Sequence, residues 1–299
     1  MGLADRLLAL GLPLVPKPVV RRFSRRYIAG AELADAVRVV RKVNEEGASA
    51  TVDVLGEYVT GEKEAWEAER LYRSVLDAIA ARGLDSNISV KLTQMGLKID
   101  RRLCREVVSS LLEAARETSN FVRIDMEDSS CTSDTIELYL SLREEFDNVG
   151  IVMQACLRRT LADVARLAPL GTNFRLCKGI YIEPREISWR DPEIIRSNFA
   201  LLLEEMLRHG CYVGIATHDE RLVWAALKTI HQLQVPRDRF EFQMLLGVDP
   251  DLRRILILSG CRMRVYVPFG RHWYAYSVRR LKENPKIAGY VFKAMLGRS

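Results

Sequence analysis

Two neighbouring arginines near the end of the chain offer the most specific chemistry in the sequence. A helix that ended before Pro285 would place four polar residues at positions i, i+3, i+4 and i+7, on one face. These residues are Tyr276, Arg279, Arg280 and Glu283. Two adjacent guanidinium groups repel each other unless an anion lies between them, and the arginine fork fits a carboxylate or a phosphate. The face is therefore predicted to bind a small anion, and a solvated row of salt bridges is the alternative.

The composition is that of an ordinary globular protein, with 299 residues of which 48% are hydrophobic and 28% are charged. Six cysteines are scattered without a C-x-x-C pair, and the four histidines form no cluster with them. We therefore predict a reducing compartment and no metal site. The net charge of +6 is compatible with an acidic partner, a membrane surface or anionic ligands.

The beginning of the chain is basic and contains a broken apolar run over 7–20, which three prolines interrupt. Arg21, Arg22, Arg25 and Arg26 follow it. The run is too short to span a bilayer, and no secretory cleavage site is evident. A transit sequence, a surface-binding helix and a helix that covers one end of the domain stay open as interpretations.

Eight short apolar runs alternate with longer amphipathic stretches along the chain. The predicted strands are 50–55, 88–92, 122–126, 150–154, 174–177, 212–216, 240–245 and 264–267. The predicted helices between them are 63–82, 101–118, 132–145, 161–168, 192–209, 220–233 and 249–258. This order is typical of an α/β fold of the (β/α)8 TIM-barrel type, so we predict one barrel domain over 50–299 with an N-terminal helical segment, 1–49, packed on it. A doubly wound open sheet is the alternative, but no G-x-G-x-x-G turn follows the first strand.

Polar residues follow or end nearly every predicted strand, where a barrel of this class carries its chemistry. They are Glu57, Lys91, Asp125, Gln154, Arg175 with Lys178, Thr217 with His218, Gln243 and Tyr266. A complete ring of such groups on buried strands is costly unless a polar ligand satisfies it. We therefore expect an enzyme site in the mouth of the barrel, with the two C-terminal arginines on an eighth helix at its border.

At this point several motifs match one family. They are 55–57 (Leu-Gly-Glu), 89–92 (Ser-Val-Lys-Leu), 175–181 (Arg-Leu-Cys-Lys-Gly-Ile-Tyr), 216–218 (Ala-Thr-His), 242–245 (Phe-Gln-Met-Leu) and 276–284 (Tyr-x-x-Arg-Arg-x-x-Glu-Asn). In this order they resemble proline dehydrogenase, in its short monofunctional bacterial form, over about 50–289. The resemblance implies an FAD-dependent barrel that oxidises L-proline to Δ1-pyrroline-5-carboxylate and passes electrons to a membrane quinone. Two residues depart from the family pattern, since many members have Ala in place of Ile180 and Asn in place of Asp219.

The resemblance also implies roles for the substrate side of the site. Residues expected to bind proline are Lys91, Tyr181, Leu245, Tyr266, Tyr276, Arg279 and Arg280. Asp125 is expected to lie beside Lys91 and keep it charged and aimed, with a strand-end cap as its alternative role. Glu57 is expected to pair with Arg279 as a gate. In the family, Tyr at the position of Tyr276 goes with proline use and a small residue goes with hydroxyproline use.

The remaining residues are implied to bind the cofactor, which the reaction requires because no side chain accepts hydride. Residues expected to contact FAD are Met126, Gln154, Arg175, Lys178, Gly179, Ile180, Thr217, His218 and Gln243. Arg175 is expected to stabilise negative charge on the flavin ring, and with Asp125 it is the predicted catalytic pair. His218 is alternatively a satisfied core histidine, and Cys177 is expected to pack rather than react.

The expected partners are L-proline, the quinone and a downstream pyrroline-5-carboxylate (glutamate-semialdehyde) dehydrogenase, with peripheral membrane contact and no nucleic acid. The expected location is the cytoplasm at the inner face of the membrane, or the mitochondrial matrix in a eukaryote. Two other functions stay open on the residues alone. One is an aldolase-type enzyme that forms a Schiff base through Lys91 or Lys178, and the other is a binding module that uses the basic N-terminal cluster.

Overall fold

Eight parallel strands close into a barrel in a computed structural model that describes residues 26–274, 276 and 277. The strands are β1 Ser49–Val54, β2 Ser86–Val90, β3 Val122–Ile124, β4 Val149–Gln154, β5 Asn173–Cys177, β6 Tyr212–Ala216, β7 Phe240–Leu245 and β8 Met263–Phe269. Each strand pairs with the next, and β8 pairs with β1 in the register Ala50↔Val265. The predicted (β/α)8 barrel is therefore confirmed, and all eight predicted strands lie within two residues of the observed ones.

Eight α-helices have both ends within the described residues. They are α1 Leu33–Glu45, α2 Glu62–Ala81, α3 Arg101–Glu117, α4 Thr132–Arg143, α5 Thr160–Leu167, α6 Pro192–Arg208, α7 Glu220–Gln232 and α8 Pro250–Leu258. Aspartates begin four of them, because a carboxylate oxygen accepts the free backbone N–H groups of the first turn. Asp191 accepts from the amide of Glu193 at 2.8 Å, and Asp219 accepts from that of Arg221 at 3.2 Å.

The helix before the first strand fills the place beside β8 and β1, which a helix after β8 fills in a regular barrel. Ala36, Val40 and Val43 on α1 are buried against the core. The sequence prediction assigned a further helix to the segment that begins at Tyr276, and the described residues 273, 274, 276 and 277 are helical. The Tyr276 ring packs in a small cluster with Tyr27 and other residues at the mouth. Of the predicted helix, Arg279, Arg280 and Glu283 lie outside the described residues.

The described part of the N-terminal segment contains α1, while the 1–49 and 50–299 boundary stays a prediction. Within the described part of the chain, no helix combines the length and the apolar character that crossing a bilayer requires.

Candidate active site

A cavity of about 660 Å³ opens at the carboxyl ends of the strands. All the described residues that the sequence predicted for the site line it: Glu57, Lys91, Asp125, Met126, Gln154, Arg175, Lys178, Gly179, Ile180, Tyr181, Thr217, His218, Gln243, Leu245, Tyr266 and Tyr276. Parallel strands in a closed barrel bring their carboxyl ends to one rim, which is why residues more than 180 positions apart meet here. The predicted anion-binding arginines, Arg279 and Arg280, lie outside the described residues.

The Lys91 ammonium lies deep in the cavity between two carboxylates. Its Nζ is 2.7 Å from Asp53 Oδ1 and 3.8 Å from Asp125 Oδ2. Burial by itself lowers the pKa of Lys91, but the two carboxylates outweigh burial, so the pKa lies above its usual value. Asp125 therefore lies beside Lys91 and helps to keep it charged, as predicted, while the carboxylate hydrogen-bonded to Lys91 is that of Asp53.

Asp125 has a different nearest cation, the guanidinium of Arg175. Arg175 Nη1 donates to Asp125 Oδ1 at 2.6 Å, and the Ser89 hydroxyl donates to the same oxygen at 2.6 Å. The phenol of Tyr266 donates to Asp125 Oδ2 at 2.8 Å. Burial and the neighbouring Asp125 raise the pKa of Tyr266 well above its usual value, so the phenol keeps its proton. Asp125 therefore joins Arg175, on β5, to Tyr266, on β8.

The guanidinium of Arg175 is 5% exposed and only partly satisfied. Its Nε donates to Gln243 Oε1 at 2.5 Å, and its Nη1 is bound by Asp125. Its Nη2 is buried and makes no hydrogen bond to a described residue. A buried cationic donor without an acceptor costs free energy, so this atom marks where a ligand acceptor would be stabilised.

A buried chain of polar side chains fixes the direction of the Gln243 amide. Gln243 Nε2 donates to Glu241 Oε1 at 2.7 Å, and Arg264 Nε donates to the same oxygen at 2.6 Å. Because the amino group of Gln243 is committed to Glu241, its carbonyl oxygen is the group that faces Arg175. A side chain at Gly214 would place its Cβ 2.3 Å from Gln243 Nε2, so glycine on β6 leaves room for this chain.

The β4 and β5 ends form a second wall, in which Gln154 Nε2 donates to the Glu127 carbonyl at 2.7 Å. Gly179 has φ +98°, a left-handed conformation that favours glycine. A Cβ at Gly179 would also lie 2.3 Å from Cys156 Sγ and 2.9 Å from Gln154 Oε1. The backbone of 178–180 can thus line the cavity closely only because residue 179 is glycine.

Asp219, one of the two departures from the family pattern, pairs with two cations at the rim. Lys178 Nζ is 3.1 Å and Arg196 Nε is 2.7 Å from Asp219 Oδ2. Burial by itself raises the pKa of Asp219, but these two cations outweigh it, so the pKa is below its usual value. The predicted cofactor lysine therefore already has an anionic partner in the protein.

Two further predicted cofactor residues also make internal hydrogen bonds. Thr217 Oγ1 accepts from the Asp219 amide at 3.0 Å, and His218 Nε2 accepts from the Leu245 amide at 2.8 Å. An accepting Nε2 leaves the proton of a neutral imidazole on Nδ1. The alternative of a structurally satisfied histidine is thus supported for one of its two ring nitrogens.

Two contacts tie together the loops that follow alternate strands. The Tyr58 phenol, after β1, donates to Asp128, after β3. Ser129 donates to the buried Glu183, after β5, through its amide at 2.7 Å and its hydroxyl at 2.6 Å. Glu183 is two residues from Tyr181, which lines the cavity. These contacts fix the backbone on either side of the half-buried Glu57 and Tyr181.

The sequence analysis missed three site residues, Asp53, Ser89 and Glu241. Ser89 and Glu241 lie two positions before Lys91 and Gln243, and Asp53 lies four positions before Glu57. All three are buried, and strand side chains two positions apart share a face. Polar residues at every second position of otherwise apolar strands were the signal that would have found them. Among the described residues, no group of three or more His, Cys, Asp or Glu side chains is arranged to hold a metal ion.

Comparisons with known proteins agree with this geometry. A family model described as proline dehydrogenase matches residues 36–292. The chain is 37% identical over 273 residues to a protein named proline dehydrogenase 1 from Bacillus subtilis subsp. natto, which covers 91% of this chain and 90% of that protein. It is 33% identical over 298 residues to a proline dehydrogenase from Deinococcus radiodurans, which covers 95% of this chain and 96% of that protein.

A solved structure is also similar, that of proline utilization A (PutA) from Bdellovibrio bacteriovorus inactivated by N-propargylglycine. It matches with a TM-score of 0.82 at 27% identity, over 88% of this chain and 32% of that chain. The present chain therefore spans about a third of that larger protein. Since the family match begins in the helix before the first strand and ends beyond the last one, the chain belongs to the proline dehydrogenase family and is an oxidoreductase of proline catabolism.

Proposed function

We propose that the protein oxidises L-proline to Δ1-pyrroline-5-carboxylate with FAD as hydride acceptor and a membrane quinone as electron acceptor. This reaction is the first step in the degradation of proline to glutamate. The observation that carries the proposal is the buried Nη2 of Arg175, a cationic donor that has no acceptor among the described residues. It lies in the same cavity as Lys91, so a hydride acceptor and a carboxylate substrate would meet there.

The residues on the β4 to β7 side fit a flavin. An isoalloxazine ring carries carbonyl and nitrogen acceptors, which suit the unsatisfied donor of Arg175 and the amides of Gln154 and Gln243. Met126 lies against the same part of the cavity. The residues proposed for the ribityl and diphosphate groups are Lys178, Gly179, Ile180, Thr217 and His218. When it is bound, the flavin accepts a hydride from the carbon beside the proline nitrogen.

The residues of the chain itself hold and orient the substrate. Lys91 stays protonated because two carboxylates raise its pKa, so it can bind the proline carboxylate together with Arg279 and Arg280. Tyr181, Leu245, Tyr266 and Tyr276 are proposed to surround the ring and exclude water. Arg175 holds a positive charge where negative charge develops, and Asp125 fixes its orientation through the 2.6 Å ion pair.

Glu57 is proposed to act as a gate through Arg279. Glu57 is half-buried and lines the cavity beside Tyr276 and Lys91, which supports a place at its entrance. The next residue, Tyr58, donates a hydrogen bond to Asp128, which helps to hold the backbone beside Glu57 while its side chain changes partner.

The Schiff-base alternative needs a lysine with a lowered pKa, because only the neutral amine attacks a carbonyl. The pKa of Lys91 is displaced in the opposite direction. The Lys178 nitrogen is 3.1 Å from Asp219 Oδ2, so it is already engaged in an ion pair within the protein. These two observations favour the dehydrogenase reaction over an aldolase-type reaction.

The proposed partners follow from the reaction. The quinone is apolar, and the exposed side chains of Ile180 and Ile182 at the rim, with Ile182 92% exposed, suit its approach. We propose a cytoplasmic location with peripheral contact at the inner face of the membrane, or the matrix in a eukaryote. A pyrroline-5-carboxylate dehydrogenase would consume the product.

The test is the visible spectrum of the purified protein under anaerobic conditions. We expect a flavin spectrum that L-proline bleaches and that a soluble quinone analogue restores. A colourless protein that L-proline leaves unchanged, and that borohydride traps covalently with a carbonyl compound, would instead favour the Schiff-base reaction. Mass spectrometry after denaturation distinguishes FAD from FMN.

A further inference from the structure

An ion pair joins Asp53, on β1, to Lys91, which directly follows β2 and lines the cavity. Asp53 is fully buried, and Lys91 is 8% exposed. Lys91 Nζ donates to Asp53 Oδ1 at 2.7 Å. Carboxylates with no exposure are rare in folded proteins unless a cation or a hydrogen-bond network stabilises them. The burial of Asp53 therefore has to be explained.

The substrate-binding lysine faces several acidic or titratable groups, from β1, β3, β8 and the segments that follow β1 and β3. They are Asp53, Glu57, Asp125, Glu127 and Tyr266. Only Asp53 accepts a hydrogen bond shorter than 3 Å from Lys91 among the described residues. Asp125 is 3.8 Å away, and its Oδ1 is committed to Arg175 at 2.6 Å.

Asp53 is held in place from outside the strand as well. The Tyr72 phenol on α2 donates to the Ser89 carbonyl at 2.7 Å and accepts from the Val54 amide at 3.1 Å. These bonds tie β1 to β2 beside the ion pair. The backbone that carries Asp53 is therefore fixed beside Lys91.

We propose that Asp53 is the positioning residue of Lys91, which keeps the ammonium charged and aimed at the substrate carboxylate from below. The inference rests on the proposed function, in which Lys91 binds that carboxylate. It assigns to Asp53 a role that the sequence had given to Asp125. Asp125 forms its shortest ion pair with Arg175, so the two aspartates have different nearest cations.

Trace labelling with acetic anhydride reads the charge on Lys91 directly, because only the neutral amine reacts. Removing one buried carboxylate lowers the pKa of the lysine, and each pKa unit changes its neutral fraction tenfold. In Asp53→Asn we therefore expect Lys91 to react about tenfold faster or more at pH 9, measured by mass spectrometry of its peptide. Asp125→Asn is the matched control, with a smaller increase expected. An increase in Asp125→Asn alone would overturn the proposal.

Substrate binding provides a second reading. Tetrahydro-2-furoate has the ring and carboxylate of proline but no titrating nitrogen. Its dissociation constant, measured from changes in the flavin spectrum, therefore reports how strongly the site binds the carboxylate. We expect Asp53→Asn to raise that constant about tenfold, a typical loss for a misplaced charged hydrogen bond. In a Lys91→Met background the same change should have less than about a twofold effect, since it acts through Lys91. Equal effects in both backgrounds would contradict the proposal.

Stability provides a reading that holds even if Asp53→Asn folds poorly. Burial already raises the pKa of the Asp53 carboxyl, and Lys91 opposes that rise, so Lys91→Met should raise this folded-state pKa further above the unfolded value. The variant should then be most stable at low pH and lose melting temperature as the pH rises through the folded-state pKa. Lys91→Met/Asp53→Asn should lose this pH dependence relative to Lys91→Met alone. A Lys91→Met protein with the pH profile of the wild type would overturn the pairing.

These readings separate the two proposals. If the wild type binds no flavin and oxidises no proline, the proposed function fails, while labelling and melting still test the pair. If the wild type is active but Asp53→Asn changes neither labelling nor binding, only the inference about Asp53 fails.

Discussion

The two sides of the barrel mouth differ in how fully their charged side chains are paired within the protein. On the side formed by β1, β2, β3 and β8, which we term the paired side, Asp53, Lys91, Asp125 and Tyr266 bind one another within the protein. On the side formed by β4 to β7, the open side, Arg175 keeps a buried donor without an acceptor among the described residues. A paired side suits a small zwitterion, whose two charges can bind to charged groups that the protein already holds in place. An open side suits a larger ligand that brings its own acceptors.

The difference also concerns how the side chains are supported. Asp53 and Ser89 on the paired side project from strands whose backbones are fully paired, so their positions vary little. Gly179 and Tyr181 on the open side lie in the segment after β5, which the Glu183 contacts to Ser129 hold in place. The paired side is therefore fixed mainly by the sheet, and the open side is fixed mainly by loop contacts.

Arg175 joins the two sides, so its removal should have the largest effect. In Arg175→Met we expect the rate of flavin reduction at saturating proline to fall about 100-fold or more, the usual loss for a donor that stabilises developing charge. Anaerobic stopped-flow absorbance measures it. In Arg175→Lys, which keeps the positive charge but loses the planar guanidinium, the rate of flavin reduction should fall less. An unchanged reduction rate with a raised proline requirement would place Arg175 on the substrate instead.

Tyr276 lines the cavity, and if it covers the proline ring as proposed, its bulk should exclude a 4-hydroxyl on that ring. We expect the wild type to prefer L-proline over trans-4-hydroxy-L-proline, and Tyr276→Ser to narrow that ratio of kcat/KM values about tenfold. Tyr276→Phe is the matched control and should leave the ratio nearly unchanged, because the ring and not the hydroxyl fills the space. A wild type that prefers hydroxyproline would contradict the assignment.

Gly179 tests whether the open side depends on its loop. Gly179→Ala places a side chain at φ +98° and 2.3 Å from Cys156 Sγ, so the loop must shift. We expect this backbone strain to raise the FAD dissociation constant about fivefold or more. Gly171→Ala is the control, because it also has a positive φ, +66°, but no atom within 4 Å of the added Cβ. Equal flavin retention in both variants would show that the loop tolerates the change.

Asp219 offers the smallest and most specific test of the open side. Its carboxylate holds Lys178 and Arg196, which would otherwise be available to the cofactor diphosphate. We expect Asp219→Asn to lower the FAD dissociation constant about twofold to fivefold, in keeping with partly exposed ion pairs. Glu193→Gln removes the other carboxylate that contacts Arg196, and it should change the FAD dissociation constant little. Weaker flavin binding in Asp219→Asn would mean that Asp219 positions the two cations instead.

The sequence predicted the barrel because its signal is local and repeated. Strand patterns such as 240–245 and helix patterns such as 192–209 are set by neighbouring residues, and the first of these matches the observed strand end for end. The ring of polar strand ends was predictable for the same reason, since parallel strands must end together. The place of α1 beside β8 was not predictable in this way, because that contact joins segments that lie more than 200 residues apart in the sequence.

By itself the sequence determined which residue types reach the mouth and in what order around it. Which of them bind each other was decided only by the tertiary structure. Lys91 has two aspartates within reach, and spacing along the chain cannot rank them. The closed sheet brings Asp53 to 2.7 Å from Lys91 and leaves Asp125 at 3.8 Å, because the Arg175 guanidinium crosses the barrel to meet Asp125. Ion pairing depends on distances of a few tenths of an ångström in a buried site, and packing alone sets those distances.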